Sequence, residues 1–153
     1  FNFGEDLLKI PGLDGSGKMG KSEGNCVFLA DDAKTIEKKV KRALTDAGPT
    51  TPNSTKPDYI ENLFTILKVV STPEVVTHFE EKWNTCDIRY GDLKKQLAED
   101  IIRATSPIRE RIIDIQNNEA YLAKVTKEGA EKARISAAKT LREVREIMGF
   151  KKF

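Results

Sequence analysis

The sequence has few of the side chains that most often build metal and nucleophilic sites. It contains one histidine, His78, and only two cysteines, Cys26 and Cys86, which lie far apart in the chain. Structural zinc needs four Cys or His ligands at short spacings, so no such site is expected. His78 has no serine or cysteine nucleophile at a recognisable spacing, so we assign it a structural or surface role. Two distant cysteines are typical of a reduced, cytoplasmic protein.

Long hydrophobic runs and an excess of charge of one sign are also missing. No stretch of about 18 apolar residues and no signal-peptide pattern occurs, so we expect no membrane partner. The net charge is +2, from 26 basic and 24 acidic residues. This balance excludes a nucleic-acid binder that relies on bulk charge, but it leaves local basic faces open. With 39% hydrophobic and 33% charged residues in 153, the composition is typical of one helical domain.

Glycine and lysine are concentrated in residues 13–25, which hold four glycines, two lysines and two serines. The backbone N–H groups of such a loop can surround an anion, and a polyphosphate is the expected ligand. By spacing, Gly15 to Ser22 matches the P-loop pattern G-x-x-x-x-G-K-[ST], which needs a helix starting at its Lys-Ser pair. Residues 23–25 are poor in helix formers and residues 26–29 indicate an extended run, so the match is interpreted as accidental.

The same loop resembles a motif of a known enzyme family. Residues 18–22, Lys-Met-Gly-Lys-Ser, resemble the KMSKS loop of class I aminoacyl-tRNA synthetases, with glycine in place of the middle serine. Residues 27–46 are similar to the segment that follows this loop in bacterial tryptophanyl-tRNA synthetases, and residues 137–150 to that family's C-terminus. The resemblance covers about residues 11–150 and favours the tryptophan enzymes over the related tyrosine enzymes.

Beyond residue 30 the apolar residues recur at helical spacing. Asp31 and Asp32 indicate a helix N-terminus, and Thr72 followed by Pro73 indicates another. Residues 48–57, rich in proline and threonine, indicate a loop between helices. Trp83 is interpreted as a core anchor rather than a stacking platform for a base.

The C-terminal half is expected to contain two long helices. The first begins near Tyr90, with a kink or break near Ala104 because Pro107 removes a backbone hydrogen bond. The second is expected from Thr126 to a C′ glycine at Gly149. The expected fold is therefore mainly α, a helical bundle preceded by a short extended segment that carries the loop.

The resemblance implies two domains: residues 1–30 as the tail of a catalytic Rossmann domain, and residues 31–153 as a helical anticodon-binding domain. It also implies roles for the loop residues. Lys18 and Lys21 would be catalytic and contact the ATP phosphates, Met19 would contribute backbone contacts near the adenine, and Ser22 would offer a hydroxyl to the phosphates. Gly20 would complete the ATP-binding loop and make it more flexible. Basic residues expected to contact tRNA are Lys38, Lys41, Arg42, Arg134, Arg142 and Arg145.

The parent enzyme implied by the resemblance activates tryptophan with ATP and Mg²⁺, charges tRNA(Trp) and is a homodimer. The family's second ATP motif contains two histidines and cannot lie in a chain with one. We therefore interpret the chain as the C-terminal portion of a longer enzyme, inactive alone. The alternatives are a tyrosyl-tRNA synthetase fragment, a non-catalytic helical RNA-binding module and a P-loop NTPase.

Overall fold

The structure is a computed structural model that describes residues 9–150. Five α-helices and no strand occur in these residues, which confirms the mainly α fold. The chain divides into two compact units, one ending at Arg109 and the other beginning at Glu110. The start of the predicted extended segment, up to residue 8, lies outside the described residues. The helices are Ala33–Lys41 (α1), Asp58–Val70 (α2), Pro73–Asn84 (α3), Tyr90–Gln116 (α4) and Glu119–Ile147 (α5).

The first unit has a hydrophobic core built by α1, α2, α3 and the first part of α4. The loop contributes to the same core through Leu13, which is 6% exposed. Trp83 is buried in it, as predicted, and its Nε1 donates a hydrogen bond to the carbonyl of Ser54 at 2.8 Å. Burying one large apolar side chain stabilises a fold by about 1.5–3 kcal/mol, so this core holds the first unit together.

Two helix N-termini begin where the sequence predicts. The Asp32 carboxylate accepts a hydrogen bond from the Thr35 N–H at 2.8 Å and caps α1. Thr72 occupies the N-cap position of α3 and Pro73 its first turn, but the threonine side chain makes no capping hydrogen bond. Both residues thus occupy the N-cap position of a helix, but only the Asp32 side chain makes a capping hydrogen bond.

The long helix α4 continues through Pro107, so the break considered from the sequence does not occur. Proline removes a single N–H donor, and the helix is anchored upstream by buried Leu93, Leu97 and Ile101. The hydroxyl of Thr105 bonds back to the carbonyl of Ile101 at 2.8 Å, which occupies a backbone acceptor in the turn before the proline.

The second unit contains the end of α4 and all of α5. The helix α5 begins at Glu119, seven residues before the predicted Thr126, because the Asn118 side chain caps it by accepting from the Tyr121 N–H at 3.0 Å. Gly149 has φ +72° and ends the helix as predicted, with the Phe150 N–H donating to the carbonyl of Arg145 at 3.0 Å. No residue of α5 is buried.

Candidate functional site

The glycine-rich loop is closed at its base by backbone hydrogen bonds. The Met19 N–H donates to the carbonyl of Ile10 at 2.9 Å, and the Leu13 N–H donates to the carbonyl of Asn25 at 3.0 Å. The carbonyl of Leu13 in turn accepts from the N–H of Leu44, beyond the end of α1, at 3.0 Å. These bonds join the start and the end of the loop to each other and to the core of the first unit.

The side chain of Asn25 is the polar centre of this loop. It is 4% exposed, and its Oδ1 accepts a hydrogen bond from the Gly20 N–H at 2.8 Å. Its Nδ2 lies 2.7 Å from Ser16 Oγ, 3.0 Å from Asp14 Oδ1 and 3.2 Å from the carbonyl oxygen of Lys18. A single buried amide therefore contacts four residues of the loop.

The carboxylate of Asp14 is held in its charged form by the same cluster. The Ser16 hydroxyl donates to Asp14 Oδ1 at 2.6 Å and the Ser16 N–H donates to it at 3.1 Å. These bonds, followed by the one from Asn25, lower the pKa of Asp14 below its usual value. Hydrogen bonds to a carboxylate favour its ionised form, so Asp14 stays an acceptor at neutral pH.

The helix α2 contacts the loop through Asn62 and Tyr59. Asn62 Nδ2 donates to the carbonyl of Ser16 at 2.9 Å. Gly15 has φ +91°, and a Cβ placed on it would lie 3.0 Å from the Cβ of Tyr59. The conformation and the close approach both require glycine at this position.

The lysines of the loop face outward. Lys18 and Lys21 are exposed, and no hydrogen bond or ion pair engages either ammonium group within residues 9–150. Ser22 is also exposed, and its Oγ is 3.4 Å from Glu23 Oε1, a long contact. Positive charge and a hydroxyl are thus available to a ligand on the outer side of the loop.

The backbone of Met19 and Gly20 is less available than expected. Both N–H groups are already donated within the loop, to Ile10 and to Asn25 respectively. A backbone contact from Met19 to a ligand would therefore use its carbonyl oxygen.

The P-loop alternative is wrong. Residues 21–24 form turns, residues 25–28 have no helical structure, and the first helix begins only at Ala33. A P-loop needs a helix N-terminus at its Lys-Ser pair to receive the phosphates, and none lies there. The run at residues 26–29 is non-helical as predicted, although Leu29 lies in a turn and no strand forms there.

Three of the basic residues proposed to contact tRNA cluster at the end of α1. Lys38 and Lys41 lie in its last turn and Arg42 is its C-cap, and all three are exposed. Positive charge at a helix C-terminus also stabilises the helix dipole, so the cluster has a structural reason to exist. The other three, Arg134, Arg142 and Arg145, are exposed on α5 in the second unit.

A partly buried lysine lies beside the α1 cluster. Lys94 Nζ on α4 donates to the carbonyl of Ala43 at 2.8 Å and to Thr45 Oγ1 at 2.9 Å, and burial lowers the pKa of its ammonium group. A cleft of about 390 Å³ next to it is lined by residues of both signs, including Glu37, Lys41 and Glu99. Mixed charge does not select an anionic ligand, so this cleft is a poor phosphate site.

The residues that organise the loop could not be identified from the sequence. Asn25, Asp14, Ser16 and Asn62 were not predicted to have a role, because each acts through a contact set by the fold. The available signal was a set of short polar side chains between glycines, where Asn, Asp and Ser commonly bond to nearby backbone.

No group of three or more His, Cys, Asp or Glu side chains that could hold a metal ion occurs in the described part of the chain. The carboxylate of Asp31 accepts hydrogen bonds from the Phe28 N–H and the Lys39 ammonium group. Among residues 9–150, no helix combines the length and apolar character needed to cross a membrane.

This arrangement of loop and helices recurs in known proteins. The family described as tRNA synthetases class I (W and Y) matches residues 8–106, and the chain belongs to this family. The fold is similar to that of a tryptophanyl-tRNA synthetase from Campylobacter jejuni, solved with ADP and tryptophan. That structure has a TM-score of 0.74 and 23% identity, and the match covers 96% of this chain and 45% of that one.

Relatives within the family include tryptophan–tRNA ligases, as the sequence predicts. The tryptophan–tRNA ligase of Porphyromonas gingivalis is 64% identical over 151 residues, which cover 99% of this chain and 46% of that protein. The ligase of Streptococcus pyogenes serotype M1 is 39% identical over 157 residues, covering 97% and 45%. The chain thus spans less than half the length of these curated relatives.

Proposed function

We propose that the chain is part of an enzyme that activates tryptophan with ATP and transfers it to tRNA(Trp). The observation that carries this proposal is the pair of exposed lysines, Lys18 and Lys21, on a loop that the buried side chain of Asn25 ties together at Lys18 and Gly20. In this account residues 1–30 belong to the catalytic domain and residues 31–153 form the anticodon-binding domain. The enzyme would act in the cytoplasm as a homodimer.

The lysines would act on the phosphates of ATP. In the activation step a carboxylate oxygen of tryptophan attacks the α-phosphorus, the bond from that phosphorus to the bridging oxygen breaks, and pyrophosphate leaves with the electron pair. Negative charge builds on the leaving pyrophosphate, and the ammonium groups of Lys18 and Lys21 would stabilise it. Ser22 would donate its hydroxyl to a phosphate oxygen, Met19 would contact the adenine side through its carbonyl, and Gly20 would allow the loop to approach closely.

The metal is assigned to the nucleotide rather than to these residues. Mg²⁺ usually reaches such sites with the phosphates and keeps several waters, and the described residues offer no acidic cluster to hold it. The tryptophan pocket and the paired-histidine motif would lie in other parts of the full-length enzyme. The 153 residues alone are therefore expected to be inactive in tryptophan-dependent pyrophosphate–ATP exchange.

The helices would supply the contacts to tRNA. Lys38, Lys41 and Arg42 form one exposed basic group, and Arg134, Arg142 and Arg145 lie along α5. Removing a side chain that touches a phosphate should weaken tRNA binding and reduce the slope of log affinity against log salt by about one. Replacing these residues singly by alanine in the full-length enzyme and measuring binding at several salt concentrations would identify which of them touch phosphate.

The activity itself is tested by pyrophosphate–ATP exchange with the full-length enzyme. Lys18→Ala and Lys21→Ala should each lower kcat by about 10²–10³, while Lys139→Ala, an exposed lysine of α5, serves as the matched control. Exchange that depends on tyrosine instead of tryptophan would assign the chain to the tyrosine enzymes. Normal tryptophan-dependent exchange in both loop variants would favour a helical RNA-binding role and contradict the proposal.

A further inference from the structure

We propose that Asn25 is a positioning residue that fixes Lys18 for its work on the phosphates, while Lys21 is left on a free turn. The inference rests on the proposed function and goes beyond it, because it assigns the geometry of the loop to one buried side chain. Three properties of this amide support it: its hydrogen bonds, its burial and its donor capacity.

The amide of Asn25 holds the backbone on both sides of Met19. Its Nδ2 donates toward the carbonyl of Lys18 at 3.2 Å and its Oδ1 accepts from the Gly20 N–H at 2.8 Å. The Met19 N–H itself is bonded to the carbonyl of Ile10 at 2.9 Å. Three consecutive residues are therefore tied to the base of the loop, and the direction in which the Lys18 side chain leaves the backbone is set.

Only an amide meets these requirements. Asn25 Nδ2 lies within hydrogen-bond distance of three acceptors, on Asp14, Ser16 and Lys18, whereas its Oδ1 accepts from one donor, the Gly20 N–H. The end of this short side chain must therefore offer both a donor and an acceptor. The reverse orientation would face Oδ1 toward the Asp14 carboxylate and the Lys18 carbonyl, which repel it. At 4% exposure, water has little access to replace either group.

The segment that carries Lys21 has no comparable support. The Glu23 N–H donates to the carbonyl of Gly20 at 3.2 Å, and a Cβ on Gly24 would meet nothing within 4 Å. Gly24 also has φ +69°, a conformation that glycine adopts easily. Asn25 thus divides the loop into a fixed part that ends at Gly20 and a free part that contains Lys21.

The test replaces the amide of Asn25 by a carboxylate, which lacks the Nδ2 donor. In the full-length enzyme, Asn25→Asp should lower kcat for tryptophan-dependent exchange by about 10–100-fold, since a small misplacement of a reacting group costs this much, with KM for tryptophan within about twofold. Adding Lys18→Ala to Asn25→Asp should cost far less than it does in the wild-type enzyme, because Lys18 is already misplaced. Asp14→Asn added to Asn25→Asp restores a donor beside the new carboxylate and should recover part of the loss.

Asn117→Asp, the same change at an exposed asparagine between α4 and α5, is the matched control. The inference would be overturned if Asn25→Asp exchanged at the wild-type rate. It would also be overturned if Lys18→Ala lowered kcat as much in the Asn25→Asp background as in the wild type. If Asn25→Asp fails to fold, Ser16→Ala serves in its place, because it removes one contact of the Asn25 amide. It should lower kcat by a larger factor than it changes KM for tryptophan. Equal exchange in the wild type and Lys18→Ala would instead contradict the proposed function, so the two failures are distinguishable.

Discussion

Gly12 is the residue of the loop that leaves least room for a side chain. A Cβ on Gly12 would lie 2.5 Å from Asn25 Nδ2 and from Asp14 Oδ1, and closer still to Ser16 Oγ. These atoms belong to the hydrogen-bonded cluster of Asp14, Ser16 and Asn25, so they cannot move apart without breaking hydrogen bonds to one another.

We therefore expect Gly12→Ala to reduce the free energy of unfolding of the first unit by about 1–3 kcal/mol, the usual cost of overpacking. Gly17→Ala is the matched control, because a Cβ there would meet nothing within 4 Å. Urea denaturation followed by the fluorescence of Trp83, the single tryptophan, measures both. Equal stabilities for the two variants would show that the cluster is looser than its hydrogen bonds indicate.

Asp46 is a second residue whose contacts reach several parts of the first unit. It accepts hydrogen bonds from the hydroxyl of Tyr59 at 2.8 Å, from the hydroxyl of Tyr90 at 2.7 Å and from the Gly48 N–H at 2.8 Å. Partial burial alone would raise the pKa of Asp46, but these hydrogen bonds outweigh it and the pKa lies below its usual value. The carboxylate is therefore more acidic in the folded state than in the unfolded chain.

This shift predicts a dependence of stability on pH. A depressed folded-state pKa adds stability at neutral pH and loses it as the pH falls through that pKa. We expect Asp46→Asn to be less stable than wild type at pH 7, by about 0.5 kcal/mol because the group is largely solvated, with the difference shrinking as the pH falls through the pKa of Asp46. In a Tyr59→Phe/Tyr90→Phe background the difference should be smaller throughout. A difference that grows as the pH falls would contradict this reading of the hydrogen bonds.

At the scale of elements, the two N-caps offer a direct comparison. The side chain of Asp32 caps α1 with a hydrogen bond at 2.8 Å, whereas that of Thr72 makes no capping bond to α3. We expect Asp32→Ala to cost about 0.5–2 kcal/mol of stability and Thr72→Ala clearly less. Thermal unfolding of both variants at pH 7 measures this, and a loss for Thr72→Ala as large as that for Asp32→Ala would show that the side-chain hydrogen bond contributes little to the cap.

The helices could be predicted from the sequence because their causes are local. Apolar residues at helical spacing, an Asp N-cap and a C′ glycine act within one or two turns, and α1, α3 and the end of α5 lie where these signals place them. The helix α5 starts earlier than predicted because the cap formed by Asn118 outweighs the weaker periodicity after it. Pro107 does not end α4, because packing upstream exceeds the cost of one missing hydrogen bond.

The candidate site could be predicted only in its outward-facing half. The spacing of Lys18 and Lys21 in a loop that resembles the KMSKS motif was enough to indicate these two lysines as candidate ligand contacts. The supporting contacts of Asn25 and Asn62 could not be predicted, because they join residues brought together by the fold. The short polar side chains between glycines indicated that local hydrogen bonds form, but not which side chain is buried or which partner each one contacts.

At the scale of the whole molecule, the two units differ in how their helices are stabilised. The helix α2 in the first unit buries five apolar side chains, whereas α5 buries none. Opening of a helix that buries little surface costs little free energy. We therefore expect the amides of α5 in this 153-residue chain to exchange with deuterium at least about tenfold faster than those in the middle of α2. Equal protection, measured by mass spectrometry of peptides from both helices, would contradict the expectation that α5 opens more easily than α2.

Whether Lys18 and Lys21 act on the phosphates of ATP can be measured by the rate of a single turnover. The measurement is the formation of tryptophanyl-adenylate by full-length enzyme in excess over ATP, with wild type compared with the Lys18→Ala/Lys21→Ala double variant. We predict a rate at least about 10²-fold lower in the variant, with the affinity for tryptophan unchanged. Adenylate formation at the wild-type rate in the double variant would contradict this role of the two lysines.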